Sequence, residues 1–132
     1  MKTKTIKQAV TFSATPREVY DLLMNSKKHA KFSGGAAKVS AKVGGRVEAY
    51  DGYIEGKNVE LVPGKKIVQD WRASDWPEGV WSVVIFELES TKTGTRLSFT
   101  QTGVPQEFAS EITSGWKDFY WLPMQAWLAA QV

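Results

Sequence analysis

The chain has no cysteine and a single histidine, and no apolar run approaches the roughly 20 residues of a membrane-spanning helix. Without thiols there is no disulfide, no thiolate nucleophile and no sulfur-ligated zinc, a composition that suits a reducing compartment. One imidazole cannot build a histidine-rich metal site, and it leaves Ser-His-Asp or Cys-His assemblies short of members. His29 follows Lys27-Lys28 just past an expected helix. Cations favour helix C-termini, so this histidine reads as exposed and functionally silent rather than catalytic. No G-x-x-x-x-G-K-[ST] loop appears, so nucleotide binding by that device is unsupported. Met1 to Ile6 leads into an alternating pattern rather than the apolar region of a signal peptide, and a cytoplasmic protein is expected. Nor is there a block of positive charge. The formal net charge of +3 comes from scattered Lys and Arg, with Lys27-Lys28 and Lys65-Lys66 the adjacent pairs, which describes a solvated surface better than a nucleic-acid interface.

What is present is ordinary in amount and unusual in kind. At 132 residues, with 42% apolar and 23% charged side chains, residues 1–132 are expected to form one domain with a true core. Six tryptophans in so short a chain point to bulky packing or to an interface. Several of the aromatics fall late. Phe108, Ile112, Trp116, Phe119, Tyr120, Trp127 and Leu128 recur at steps of three, four and seven, which predicts a long helix with one broad bulky side. Pro123 lies inside that helix and removes a hydrogen bond near Phe119, which predicts a kink.

Ahead of the helix the period is two. Ile6, Gln8, Val10 and Phe12 share one face of a first strand. Thr15-Pro16-Arg17-Glu18 then opens a short helix with a hydroxyl cap, a proline at the first position and an early acid. That helix fades near Asn25 or Ser26. From Lys27 to Gly45 periodicity weakens, and Ser33 to Ala37 reads as a loop or flap. Beyond it, Asp51-Gly52, Pro63-Gly64, Pro77-Glu78-Gly79 and Thr93-Gly94 punctuate five hairpin strands: 46–50, 53–61, 66–74, 80–90 and 95–102. Gly56, inside one of them, suggests a bulge or bend. The whole predicts an α+β fold: a curved antiparallel sheet of about six strands wrapped around a long C-terminal helix, with a short helix after the first strand.

Groups for catalysis are sparse. Asp70 and Asp75 lie near one strand end, and Glu87 and Glu89 on another strand, but alternation places the glutamates on the solvent side. The same alternation puts Trp81, Val83 and Ile85 outside. Either they form an apolar patch that marks a partner or dimer surface, or other elements cover them. Inside, Gln69 and Gln101 share a face with Ile67, Trp71, Phe86, Leu97 and Phe99. Two arrangements fit such buried amides: a pocket whose ligand they orient, or a filled core in which each finds a protein partner.

Leu61-Val62-Pro63, Trp71-Arg72, Ser74-Asp75-Trp76-Pro77-Glu78-Gly79, Gly103-Val104-Pro105 and Gly115-Trp116 together resemble the activator of heat-shock protein 90 ATPase homologue family, in its C-terminal-type domain. The likeness spans nearly the whole chain. It implies a START-like helix-grip fold, whose members commonly hold hydrophobic molecules between sheet and helix and in a few cases act as cyclases or aromatases. The eukaryotic activator is instead a co-chaperone with an additional N-terminal domain.

Two functions from different classes follow. One is a non-enzymatic domain enclosing a small hydrophobic ligand, with Tyr20, Trp71, Phe86, Phe99, Trp116 and Tyr120 as wall and Gln69 and Gln101 as orienting groups. The other is a single-domain co-chaperone that meets a heat-shock protein 90-type chaperone through its surface, at Trp76, Pro77, Glu78 and Gly79 and near Ser33. An enzyme is the minor alternative, because no acid, base and nucleophile converge. No cofactor or metal is expected, and the protein is expected to be a monomer or weak dimer.

Overall fold

Alternating apolar and polar positions produce long strands, and the turn residues separate them. The computed structural model of the chain describes residues 2–130. Its strands are β1 (Thr3–Phe12), β2 (Lys38–Val39), β3 (Arg46–Ala49), β4 (Ile54–Val62), β5 (Lys66–Ala73), β6 (Ser82–Thr91) and β7 (Gly94–Pro105). They form one antiparallel sheet of seven strands in the order β1-β7-β6-β5-β4-β3-β2. The extra strand beyond the expected six is β2, whose two residues pair with Val47 and Glu48 and are too few to show an alternation.

Helix α1 (Pro16–Met24) begins as its residues dictate. The Thr15 hydroxyl accepts from the Glu18 backbone N–H, and the Glu18 carboxylate accepts from the Thr15 N–H, closing a reciprocal cap. Helix α2 (Ser26–Ser33) occupies the start of the stretch from Lys27 to Gly45 where periodicity weakens, ahead of the expected loop. Its signals were Asn25, whose side chain accepts from the Lys28 N–H, and Gly34, left-handed at φ 78° just past its end. The terminal segment runs without a break through a 3-10 turn at 106–108, α3 (Ala109–Trp116), a π-helical turn at 117–121 and α4 (Leu122–Ala130).

The irregularity in that segment falls where Pro123 demands it. Proline has no N–H to give the Phe119 carbonyl four residues back. The turn widens so that the Leu122 N–H bonds Lys117 instead. The stranded Phe119 carbonyl is satisfied from outside the helix, by the Tyr50 hydroxyl at 2.9 Å.

The core lies between one face of the sheet and the helices. Ile6, Phe12, Ile67, Val84, Phe86, Leu97 and Phe99 supply the sheet side, and Val19, Leu22, Trp116, Tyr120, Trp121, Met124 and Leu128 the helical side. Glu87 and Glu89 are exposed on the other face, as alternation requires. Trp81 and Val83 share that outer face and are 46% and 38% exposed. The Trp81 ring rests 5.8 Å from the Arg72 guanidinium. Asp70 faces an outer groove with Arg46 and Lys57, away from Asp75, so these two acids do not pair.

Gly56 proves to be a point of close strand approach. A Cβ there would collide with the Asp70 carbonyl oxygen of β5. The β4 bulge falls further along, where the register skips between Asn58 and Glu60.

Candidate functional site

The terminal helical segment is fastened to one side of the sheet far more tightly than to the other. Toward β1, the Gln8 amide donates to the Thr113 carbonyl at 3.1 Å and accepts from the Trp121 indole at 2.7 Å, while the Gln125 amide donates to the Thr11 carbonyl at 2.9 Å. Toward β3 and β4, the hydrogen bond among the described residues runs from the Tyr50 hydroxyl to the Phe119 carbonyl. The segment stands off the sheet on that flank, and a cleft of about 610 Å³ opens there.

The cleft divides the aromatic stripe read from the sequence. Leu128 lies in the core and Trp116 and Tyr120 are buried at the base of the cleft, whereas Phe108, Ile112 and Phe119 lie along its side, with Phe119 54% exposed. The opposite wall is Tyr50, Tyr53, Ile54, Trp71 and Asp75. Gly115 faces the same space, and a Cβ added to it would meet only the edge of the Phe119 ring, at 3.9 Å. Tyr50 holds its position in a left-handed backbone, φ 51°, at the β3–β4 turn. Such a conformation costs a non-glycine residue about 1 kcal/mol. It brings the Tyr50 ring against Phe119, at 5.7 Å, and Tyr120, at 6.1 Å.

Of the residues expected to wall a ligand pocket, Trp71, Trp116 and Tyr120 line the cleft. Phe86 and Gln69 reach only a closed void of about 20 Å³ behind them, and Tyr20, Phe99 and Gln101 reach neither space. The interior beneath the helix is therefore nearly solid, and the room lies at its flank. Both amides have protein partners. The Trp116 indole donates to the Gln101 carbonyl oxygen at 2.8 Å, the Gln101 amide donates to the Ser82 hydroxyl at 2.9 Å, and that hydroxyl donates to the Trp71 carbonyl at 2.8 Å. Gln69 donates to Asn58 at 3.0 Å. Asn58 in turn donates to the Ser40 and Lys42 carbonyls at 2.6 and 2.9 Å, tying the preceding loop to the sheet.

The Trp76–Gly79 turn is split between inside and outside. Pro77, Glu78 and Gly79 are exposed, but the Trp76 ring is buried against Trp71 and Phe108. Arg72 braces the turn from below, donating to the Trp76 carbonyl at 2.9 Å and, at 3.4 Å, to the Pro77 carbonyl. Any contact with a partner here falls to the three exposed residues.

His29 departs from the expectation of an exposed side chain. It is buried on α2, stacked on Phe32 at 5.0 Å. A carbonyl only accepts, so Nδ1–H donates to Leu23 at 3.1 Å, and Nε2 accepts from the Tyr120 hydroxyl at 2.9 Å. Burial holds the imidazole pKa below its ordinary value, against the opposing pull of the Leu23 carbonyl. The unfolded chain therefore takes up a proton at higher pH than the folded one. The stability from neutral His29 is fully present above about pH 6.5 and is lost as pH falls through the depressed folded value. Urea titrations should give a lower midpoint at pH 5 than at pH 7, a difference that shrinks in His29→Gln; equal shifts in both chains would remove His29 as the cause.

Acids mark the cleft mouth. Asp75 accepts from the Tyr53 hydroxyl at 2.8 Å, and Glu111 and Asp118 stand two turns apart on the helical wall. Desolvation, the hydrogen bond to Asp75 and the charges of Asp75 and Glu111 push the Tyr53 hydroxyl up to about 12. No group of three or more His, Asp or Glu side chains among the described residues is placed to hold a metal ion. No helix among them is long and apolar enough to cross a membrane.

Residues 13–128 match the sequence model of the family described as activator of Hsp90 ATPase homolog 1-like protein. The activator of 90 kDa heat shock protein ATPase homolog of Dictyostelium discoideum is 35% identical over 117 residues, covering 87% of this chain and 30% of that protein. Homolog 1 of Homo sapiens is 29% identical over 110 residues, covering 83% of this chain and 32% of its own length. The chain thus spans about a third of the curated relatives it matches. Among solved structures, an HSP90 activator from Plasmodium falciparum superposes with a TM-score of 0.88 at 24% identity, over 95% of this chain and 96% of that one. At that identity the likeness establishes the helix-grip fold alone.

Proposed function

Because the chain belongs to the family of activator of Hsp90 ATPase homolog 1-like proteins, with the START-like helix-grip fold, we propose that it is a non-enzymatic cytoplasmic domain that binds a small hydrophobic molecule in the flank cleft. The observation that carries this reading is the cleft itself. Its volume of about 610 Å³ falls in the range of roughly 300 to 1,000 Å³ usual for ligand sites, and aromatic side chains dominate its lining. Trp71, Trp116 and Tyr120 would form its floor. Phe86 and Phe99 would act one layer back by fixing the Trp116 ring, with Gln101 setting the angle of its indole and Gln69 bracing β5, while Tyr20 serves the core on α1.

Gly115→Leu tests this directly. The new side chain grows into the cleft from a helical position that leucine favours by roughly 0.5 to 1 kcal/mol over glycine, so folding is retained while the space is filled. Titration with naphthylethanol, followed by its fluorescence, should show saturable binding to the natural chain and at least a tenfold loss in the variant. Equal affinities, with the variant folded, would place the probe elsewhere and end this reading.

A second reading is favoured by the relatives of Dictyostelium discoideum and Homo sapiens, which are named as activators of a heat shock protein ATPase. In it the domain docks on a heat-shock protein 90-type chaperone and modulates its ATPase, presenting Pro77, Glu78 and Gly79 on the turn braced by Arg72. Glu78→Lys on the exposed turn should then weaken co-precipitation with the chaperone and lower its ATPase rate without touching naphthylethanol binding.

A further inference from the structure

The cleft is negative at its mouth in a chain that is positive overall. Its lining includes Asp75, Glu111 and Asp118 and no lysine or arginine, although the chain carries 17 of those cations against 14 acids. None of the three carboxylates forms an ion pair among the described residues, whereas acids elsewhere, such as Asp21, Glu48 and Glu60, do. The charges are also concentrated. The Tyr53 hydroxyl is held by Asp75 and feels Glu111 across the opening, and the rise in its pKa has both carboxylates among its causes. Asp118 extends the negative rim along the helix toward Phe119.

Deeper in, the surface changes character. Trp71 and Trp116 are buried ring systems in mutual contact at 5.8 Å, and Phe108 flanks them. An occupant that satisfies both zones has an apolar body and a positive end. Aromatic faces at the mouth add to this preference, because a cation is attracted to the negative face of a ring. A neutral hydrocarbon would leave the carboxylates solvated and indifferent, and an anion would meet repulsion with no counter-charge in the lining.

We propose that the cleft selects an apolar molecule bearing a cationic amine, its body against Trp71, Trp116 and Phe108 and its charge between Asp75 and Glu111 beside Tyr53. This rests on the cleft being the ligand site, and the test separates the two claims. Three probes share one naphthyl body: naphthylethylamine, naphthylethanol and naphthylpropionate. With the natural chain at low salt, the amine should bind about tenfold more tightly than the alcohol, and the carboxylate most weakly, as expected for exposed carboxylates reinforced by ring faces. The advantage of the amine should drop to about threefold or less in Glu111→Gln, and likewise in 0.5 M salt, which screens exposed charges. The alcohol should lose far less affinity than the amine in Glu111→Gln.

An alcohol that binds as well as the amine, or a carboxylate that binds best, overturns the charge preference while the cleft survives as a site. Failure of all three probes, or affinities untouched by Gly115→Leu, overturns the cleft as the site and the preference with it. An amine preference that persists undiminished in both Glu111→Gln and Asp118→Asn also overturns the assignment, since it would arise away from this mouth.

Discussion

Replacing Trp116 with alanine should lower the stability of the protein by about 3 to 5 kcal/mol, the cost usual for emptying a fully packed tryptophan site. The ring is 3% exposed and lies within 6 Å of Trp71, Phe86, Phe99, Tyr120 and Trp121. Its loss removes more than volume. The indole N–H is the first donor in a chain running through Gln101 and Ser82 to the Trp71 carbonyl. With the indole gone, the Gln101 oxygen is left buried without a partner, a penalty of about 1 to 3 kcal/mol within that total. Trp116→Phe isolates this part, because it keeps most of the packing and deletes the donor. Urea unfolding should place Trp116→Phe between the natural chain and Trp116→Ala. A Phe variant as stable as the natural chain would mean that the hydrogen bond contributes nothing.

Much of this arrangement was legible in the sequence. The turn dipeptides separate the strands, and the period of two assigns Phe86, Phe99, Gln69 and Gln101 to the inner face and Glu87 and Glu89 to the outer one. The bulky recurrence from Phe108 to Leu128 marks the terminal helix, and Pro123 marks its irregular turn. What periodicity cannot carry is how far apart two packed elements stand. The stripe gives a face for the terminal segment but not which half of that face touches the sheet, so Phe119 reads like Trp116 although one is exposed and the other buried. For the same reason the amides look available for a ligand. Their actual partners, Trp116 and Asn58, come from segments 15 and 11 residues away, brought there by the fold.

Helix α2 was missed for a different reason. Its eight residues include three lysines and two serines, too little apolar surface to set a period, so its evidence lay at its ends in Asn25 and Gly34. The exposed reading of His29 followed from that miss. Once α2 exists, His29 and Phe32 fall on one side of it and face Tyr120.

The second large effect is expected at Gly56. Alanine there sets a methyl group against the Asp70 carbonyl oxygen, a backbone atom that cannot swing aside as a side-chain tip could. Strands β4 and β5 must part or slide, at a cost of about 1 to 3 kcal/mol by analogy with overpacked interiors. The damage should reach the cleft, since Gly56 pairs with Trp71, whose ring walls it. Thermal unfolding and naphthylethanol titration of Gly56→Ala should therefore decline together. A variant that loses stability but binds the probe unchanged would show that β5 shifts without moving the Trp71 ring.

Pro123 leaves the terminal rod one backbone hydrogen bond short, and a side chain from the far wall of the cleft makes up for it. By withholding one N–H it leaves the Phe119 carbonyl for Tyr50 to catch, so that phenol spans the cleft while the rod stays pinned to β1 through Gln8 and Gln125, to β7 through Gln101 and to α2 through His29. Freeing the Tyr50 ring from that carbonyl breaks one hydrogen bond, worth about 0.5 to 1.5 kcal/mol, and leaves the other fastenings in place. On the proposed ligand reading, exit through the cleft mouth should depend on this phenol: in stopped-flow mixing, Tyr50→Phe should release naphthylethanol several-fold faster at nearly unchanged melting temperature.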